Sequence, residues 1–222
     1  MSKNGIIIFS DFDGTFAEKD IGYRIFKHFS GGQSDAIVKD WKAGLISHRD
    51  CLLREAELVS VSETEYYQFI DQFDLREGAR EFYEQAVKAG IEFYLLSDGT
   101  DLYIRHILNK NELKNIKYFA NKGRINGHKL TLGLIDENPS CGRCGSCKGE
   151  RIEELIRNRK PKPQVIFIGD GLSDICALSH SDLIFARGDL LQYCRDEKMS
   201  VIAYKSFFDI LNQLKKAGLW PD

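Results

Sequence analysis

The chain has 222 residues, of which 43% are hydrophobic and 29% charged, with a formal net charge of -2. This composition fits a globular protein with a sizeable core and excludes disordered, collagen-like and membrane-spanning classes, since no apolar run approaches the roughly 18 residues of a span. A charge so close to neutral, with both signs mixed along the chain, gives no long-range field for nucleic acid or acidic lipid.

The opening MSKNGIIIFSD sets a short apolar run against a carboxylate and lacks the longer apolar stretch of a secretory signal, so the expected location is cytoplasmic. Apolar runs then recur as GIIIFSD (5–11), IEFYLLSDG (91–99), QVIFIGDG (164–171) and DLIFA (182–186). Near-continuous runs of this length predict strands covered on both faces. Between them, Ala79–Ala89, Leu102–Asn109, Lys148–Arg157 and Phe207–Lys216 show helical period. Strand and helix alternate, which predicts an α/β fold: a three-layer, Rossmann-like core with a mostly parallel sheet. The segment from Phe16 to Phe73 breaks the rhythm, because it is helical in pattern throughout. Its apolar positions Ile21, Ile25, Phe26, Phe29, Trp41, Leu45, Leu52, Leu53 and Leu58 predict a small inserted bundle. The expected division is a core of 1–15 and 78–222 around a helical cap of 16–77. KGRINGHKLTLG (122–133) alternates about Asn126-Gly127 and predicts a hairpin projecting beside the sheet.

The polar residues of interest end the strands on the side where open α/β sheets place ligands. Asp11 and Asp13 follow the first strand, and residues two apart in extended chain project to one side. Two such carboxylates can divide labour, one attacking as nucleophile while the other, kept protonated by like-charge repulsion, serves as general acid and then base. Gly14 permits backbone N–H groups to approach an anion, although Asp-Gly is also a common surface turn. Ser97 closes the second long strand, Lys148 opens a helix, and Asp170 and Asp174 lie in GDGLSD. A hydroxyl, an ammonium and a metal held by carboxylates are what a phosphoryl group in flight requires. So many acids beside a phosphate call for a divalent cation, and all-oxygen ligation suits Mg²⁺. Taken singly, Ser97 reads equally as a cap, Lys148 as a solvated lysine and Asp170 as a turn.

The ordered set DFDGT, Ser97, Lys148 and GDGLSD resembles the four motifs of haloacid dehalogenase-superfamily phosphatases over nearly the whole chain, and the early helical insertion resembles the phosphoserine phosphatase-like branch. CGRCGSCKGE with IGDGLSDICAL and DLIFAR resembles a narrower group, the methionine-salvage phosphatases acting on 2-hydroxy-3-keto-5-methylthiopentenyl 1-phosphate and the phosphoethanolamine/phosphocholine phosphatases. The resemblance implies hydrolysis of a small phosphorylated metabolite, with Asp11 as nucleophile and Asp13 as acid/base. It implies Ser97 and Lys148 on the phosphoryl group, Asp11, Asp170 and the Asp13 backbone carbonyl on Mg²⁺, and Asp174 as a supporting carboxylate. Candidate substrate-binding residues are Asp20, Asp98, Gly99 and Arg49, with Arg54 an alternative to Arg49. Phosphoserine phosphatases usually carry glutamate where Asp20 stands, and the Ser97-Asp98 pair resembles the phosphocholine-type enzymes. Asp98 reads equally as a cap for the helix near Leu102 or as a solvated residue. Dehalogenases generally lack the second aspartate, so Asp13 favours phosphate chemistry; a phosphotransferase and a non-catalytic binding protein are the rival readings.

Cys141, Cys144 and Cys147 form CxxCxxC directly before Lys148. They could supply thiolates to a structural Zn²⁺ with His128 or another cysteine as fourth ligand; a Cys141–Cys144 disulfide or free thiols are the alternatives. His28, His48, His106, His128 and His180 are scattered and show no metal spacing, and most of them are expected to be surface or core residues without catalytic duty.

Overall fold

The computed structural model describes residues 5–135 and 140–221. Seven strands run in chain order as β1 (Ile6–Asp11), β2 (Glu92–Thr100), β3 (Lys117–Asn126), β4 (Lys129–Gly133), β5 (Gln164–Gly169), β6 (Leu183–Ala186) and β7 (Ile202–Ala203). They form one sheet in the order β4-β3-β2-β1-β5-β6-β7, in which only the β3–β4 hairpin is antiparallel. The period-two alternation of the central strands divides the core into two layers. Ile8, Leu95, Ile166 and Ile168 face one layer, while Ile7, Phe9, Leu96, Val165 and Phe167 face the other.

The helices are α1 (Ile21–Phe29), α2 (Ser34–Lys42), α3 (His48–Glu57), α4 (Glu63–Ile70), α5 (Ala79–Lys88), α6 (Asp101–Lys110), α7 (Lys148–Ile156), α8 (Ile175–Leu178), α9 (Gly188–Asp196) and α10 (Phe207–Lys216). Ala79, Phe82 and Ala86 of α5 and Ile210, Leu211 and Leu214 of α10 cover the first face, and α7, α8 and α9 supply Ile152, Leu178 and Leu190 to the second. The register aligns the carboxyl ends of the three central strands. Asp11 sits opposite Leu96 and Ser10 opposite Ile168, so Asp11, Ser97 and Asp170 emerge along one edge.

Helices α1 to α4 all fall between β1 and α5, with α1, α3 and α4 capped by the side chains of Asp20, Ser47 and Ser62. Chain leaves and returns side by side: Ala17 pairs with Leu75, Glu18 N–H donates to the Asp74 carbonyl and Arg76 N–H to that of Phe16. The buried Arg76 guanidinium then donates to the carbonyls of Gly14, Thr15 and Glu18.

The structure differs from the sequence expectation in two places. Leu45 is 74% exposed, because Gly44 (φ +74°) ends α2 and turns the chain outward there. The hairpin stands where expected, residues 122–126 pairing with Lys129–Gly133, and is rooted in the sheet by the earlier part of β3, which pairs with β2, while Val61 N–H donates to the His128 carbonyl at 2.8 Å. The segments β7 and α9 also complete the sheet edge and its cover, beyond the expected elements.

Candidate active site

The strand ends bring Asp11, Asp13, Ser97 and Asp170 to one wall of a cavity of about 720 Å³ whose opposite wall is built from α1 to α3. Lys148, the first residue of α7, is 1% exposed and reaches Asp11 Oδ1 at 2.6 Å while also pairing with Asp174 Oδ1. Burial alone would pull the Lys148 pKa down, but Asp11 and Asp174 outweigh it and hold the ammonium charged. Burial raises the Asp11 pKa well above the usual carboxylate value; Lys148 opposes this, and Asp174, Asp170 and Asp13 reinforce it.

Asp13 is held by four donors. Ile21 N–H (2.9 Å) and Gly22 N–H (3.1 Å) donate to Oδ1, and the hydroxyls of Tyr103 (2.6 Å) and Ser97 (3.2 Å) donate to Oδ2. Burial and the charge of Asp20 nevertheless push its pKa up to about 7. Tyr103 is a buried residue of α6 that sequence reading passed over, because an aromatic in an amphipathic helix reads as core. Gly99 makes room for it, since a Cβ there would lie 1.5 Å from the Tyr103 hydroxyl oxygen.

Asp170 accepts from the Thr15 hydroxyl at 2.9 Å, and burial together with Asp174 pushes its pKa up to about 6. Carboxylate oxygens of Asp11, Asp170 and Asp174 lie within 4.8 Å of one another, a spacing that one hard cation could bridge. Asp174 is committed elsewhere, however: Oδ1 serves Lys148 and Oδ2 accepts the N–H groups of Asp170 and Gly171. Those contacts tie the Asp174 carboxylate to Lys148 and to the backbone of the 169–174 loop. The Asp13 side chain is likewise occupied, which leaves its main-chain carbonyl as the donor it could offer a metal.

The substrate-side residues separate. Asp20 lines the cavity and caps α1 by accepting Tyr23 N–H at 2.9 Å. Asp98 is neither solvated nor a cap for α6, whose N-cap is Thr100; it is 7% exposed, and its Oδ1 accepts Ser146 N–H at 2.9 Å. Its Oδ2 lies 3.3 Å from His48 Nδ1 without the alignment of a hydrogen bond. His48 itself lines the cavity, stacked on Trp41 with centroids 4.4 Å apart. Glu55 also lines it, with Oε1 unpartnered and a pKa that burial pushes up to about 8, so it is protonated at neutral pH. Arg49 is not among the lining residues; its N–H donates to the Arg143 carbonyl.

All six cysteines are free. Cys141, Cys144 and Cys147 gather with Cys176, not with His128.

Comparison with known proteins shows the family and the fold. The family model described as haloacid dehalogenase-like hydrolase matches residues 8–179. The chain is 29% identical to the 2-hydroxy-3-keto-5-methylthiopentenyl-1-phosphate phosphatase of Bacillus pumilus, covering 96% of this chain and 94% of that one. It is 30% identical to the protein of the same name from Lysinibacillus sphaericus, covering 92% of each. At 26% identity and 96% coverage of each it also matches Pdp3-interacting factor 1 of Schizosaccharomyces pombe. A solved phosphoserine phosphatase, a phospho-aspartyl intermediate analogue, shares the fold with a TM-score of 0.73 at 21% identity, covering 95% of this chain and 99% of that chain. The described residues contain no helix long and apolar enough to cross a membrane. With a family model spanning most of its length and the motif residues converged on one cavity, the chain belongs to the haloacid dehalogenase-like hydrolase family and groups there with phosphatases.

Proposed function

We propose that the chain hydrolyses a small phosphomonoester through a phosphorylated Asp11, and that residues 16–77 act as the cap over the reacting group. The observation that carries this reading is the convergence of Lys148, Ser97 and Asp170 around Asp11, with Asp13 alongside at a pKa of about 7. Lys148 and Ser97 hold the phosphoryl oxygens. A carboxylate oxygen of Asp11 forms a bond to phosphorus as the bond to the leaving oxygen breaks, and the proton of Asp13 passes to that oxygen. Asp13, now a base, then takes a proton from water as the water oxygen attacks phosphorus and the bond to Asp11 breaks. A pKa near 7 lets one carboxyl serve both halves near neutral pH. Enzymes of this family use Mg²⁺, and Asp11, Asp170 and the Asp13 carbonyl would hold it here. Bound there, the ion would neutralise charge on the acids and the phosphoryl oxygens. Zn²⁺ at the cysteine cluster would be structural, because none of its sulfurs lines the cavity.

The substrate reading favoured is an uncharged-tailed phosphate of the kind named for the Bacillus pumilus relative, a 2-hydroxy-3-keto-5-methylthiopentenyl 1-phosphate. Phe26, Trp41 and Leu52 offer apolar wall to a thioether tail, and protonated Glu55 can donate to a carbonyl or hydroxyl. A cationic aminoalcohol head group is the second reading, since Asp98 also lines the cavity and only its Oδ1 is engaged, by Ser146 N–H, while its buried Oδ2 has no hydrogen-bond partner among the described residues. A panel of phosphorylated metabolites assayed with Mg²⁺ tests this. The enol-phosphate should give the highest kcat/KM, whereas preference for phosphocholine or phosphoserine would overturn the substrate assignment. Turnover of any substrate should vanish in Asp11→Asn without loss of fold, and near-normal activity would exclude the mechanism.

A further inference from the structure

Four sulfurs that the reaction does not use meet behind the phosphate-binding lysine. Cys141, Cys144 and Cys147 lie in the loop before α7, and Cys176 lies in α8, yet their Sγ atoms are all within 4.8 Å of one another. Cys144 Sγ and Cys176 Sγ are 3.6 Å apart. A disulfide would close such a pair to about 2.05 Å, and all four cysteines are free. Sulfurs at the corners of a tetrahedron around one Zn²⁺, with Zn–S of about 2.3 Å, stand about 3.8 Å apart. One pair at 3.6 Å with all four sulfurs within 4.8 Å of one another is close enough for a single four-coordinate ion to draw together. We propose that Cys141, Cys144, Cys147 and Cys176 bind one structural Zn²⁺, and that this ion fixes the position of Lys148 against Asp174.

The surroundings are built for such a site. Cys144 and Cys147 are buried and the other two half-buried, so the four thiolates would close the coordination sphere with no position left for water, as in structural zinc sites. Cys147 is the N-cap residue of α7, so its sulfur sits at the start of the helix that carries Lys148. A Cβ on Gly149 would lie 2.2 Å from the Cys176 carbonyl oxygen, so glycine lets the start of α7 seat directly on α8. Asp98 holds the loop from the sheet side through Ser146 N–H, and Asn121 Nδ2 donates to the Asp98 carbonyl at 2.7 Å. Binding displaces the thiol protons to solvent and ties the two segments together. Cys147 directly precedes Lys148 and Cys176 follows Asp174 by two residues, so the ion would brace the buried Lys148–Asp174 pair from behind.

The positioning half of this proposal rests on Lys148 holding phosphate, whereas the zinc half does not. Protein purified without added metal should therefore contain close to one zinc per chain by elemental analysis. Cys176→Ser should lose it and Cys194→Ser, outside the cluster, should keep it. Should Cys176→Ser fail to fold, wild-type protein reloaded with Co²⁺ must show the visible absorption of a tetrahedral tetrathiolate. Iron in place of zinc, zinc retained by folded Cys176→Ser, no tetrathiolate band, or four thiols that titrate freely under native conditions would each overturn the site. For positioning, chelator-stripped protein given back Mg²⁺ alone should lose kcat/KM on the order of 10²-fold. It should also be inhibited less by inorganic phosphate, with both restored by Zn²⁺; unchanged phosphate inhibition would overturn the bracing role while leaving the metal result independent.

Discussion

Asp13 shows how much a site depends on residues that no motif contains. The aspartate is visible in sequence two residues after Asp11, but its pKa of about 7 is set by burial, by Asp20 and by the opposing hydroxyl of Tyr103. The tyrosine donates to the carboxylate and so favours the charged form; removing it raises the Asp13 pKa. Tyr103→Phe should therefore move the alkaline limb of the kcat profile upward by roughly one pH unit, the worth of a hydrogen bond to a charged group. A limb that stays in place would separate Asp13 from that titration. Lys148→Ala leaves Asp11 and Asp174 buried without their cation, which should cost about 3–5 kcal/mol of stability by denaturant unfolding. It should also cost on the order of 10²-fold in rate. An effect on stability alone would make the lysine structural. Asp11, Ser97, Lys148, Asp170 and Asp174 were legible because each stands beside the end of an apolar run or the start of a helical pattern in the sequence. Tyr103, His48 and Glu55 were not, because each looks like an ordinary helix residue until tertiary packing turns it toward the cavity.

At the level of elements, α1 to α4 are attached to the sheet through two adjacent chain segments, with Arg76 bonded across three carbonyls of the outgoing one. Those carbonyls belong to Gly14, Thr15 and Glu18, so the guanidinium sets the path of the loop that carries Asp13. Arg76→Ala should lower stability by about 3 kcal/mol, since buried hydrogen bonds to a charged group are lost and their acceptors stranded. It should also lower kcat more than it raises KM; an unaltered kcat would show that the loop keeps its path unaided. The sequence located the helical segment, because a stretch helical in pattern throughout, with no buried strand, breaks the alternation of strand and helix. It did not locate Arg76, whose partners are backbone carbonyls about sixty residues earlier. The hairpin turn at Asn126-Gly127 was equally plain, whereas the pairing of early β3 with β2 is a long-range choice that local pattern does not encode.

Across the whole molecule, the parallel order of strands followed from alternation alone, but edge strand β7, only two residues long, left too short a pattern to read. The sheet gathers more negative charge at one edge than one lysine can balance, and this links stability to pH. Asp13 and Asp170 titrate at about 7 and about 6 in the folded chain, against 3.8 for an ordinary aspartate. Between about pH 4 and pH 7 the folded protein holds protons that the unfolded chain has released, so stability falls as pH rises through that window. Mg²⁺ held by Asp11 and Asp170, whose pKa values burial also raises, competes with protons there, so it should raise the melting temperature more at pH 8 than at pH 5 by calorimetry; equal shifts would argue against ligation by these two side chains. The most direct test of the central claim is acid quench of the wild type during turnover of a ³²P-labelled phosphomonoester, followed by peptide mapping. Label should appear on the peptide containing Asp11 and be absent from Asp11→Asn; turnover that proceeds with no label on that peptide, or label elsewhere, would contradict it.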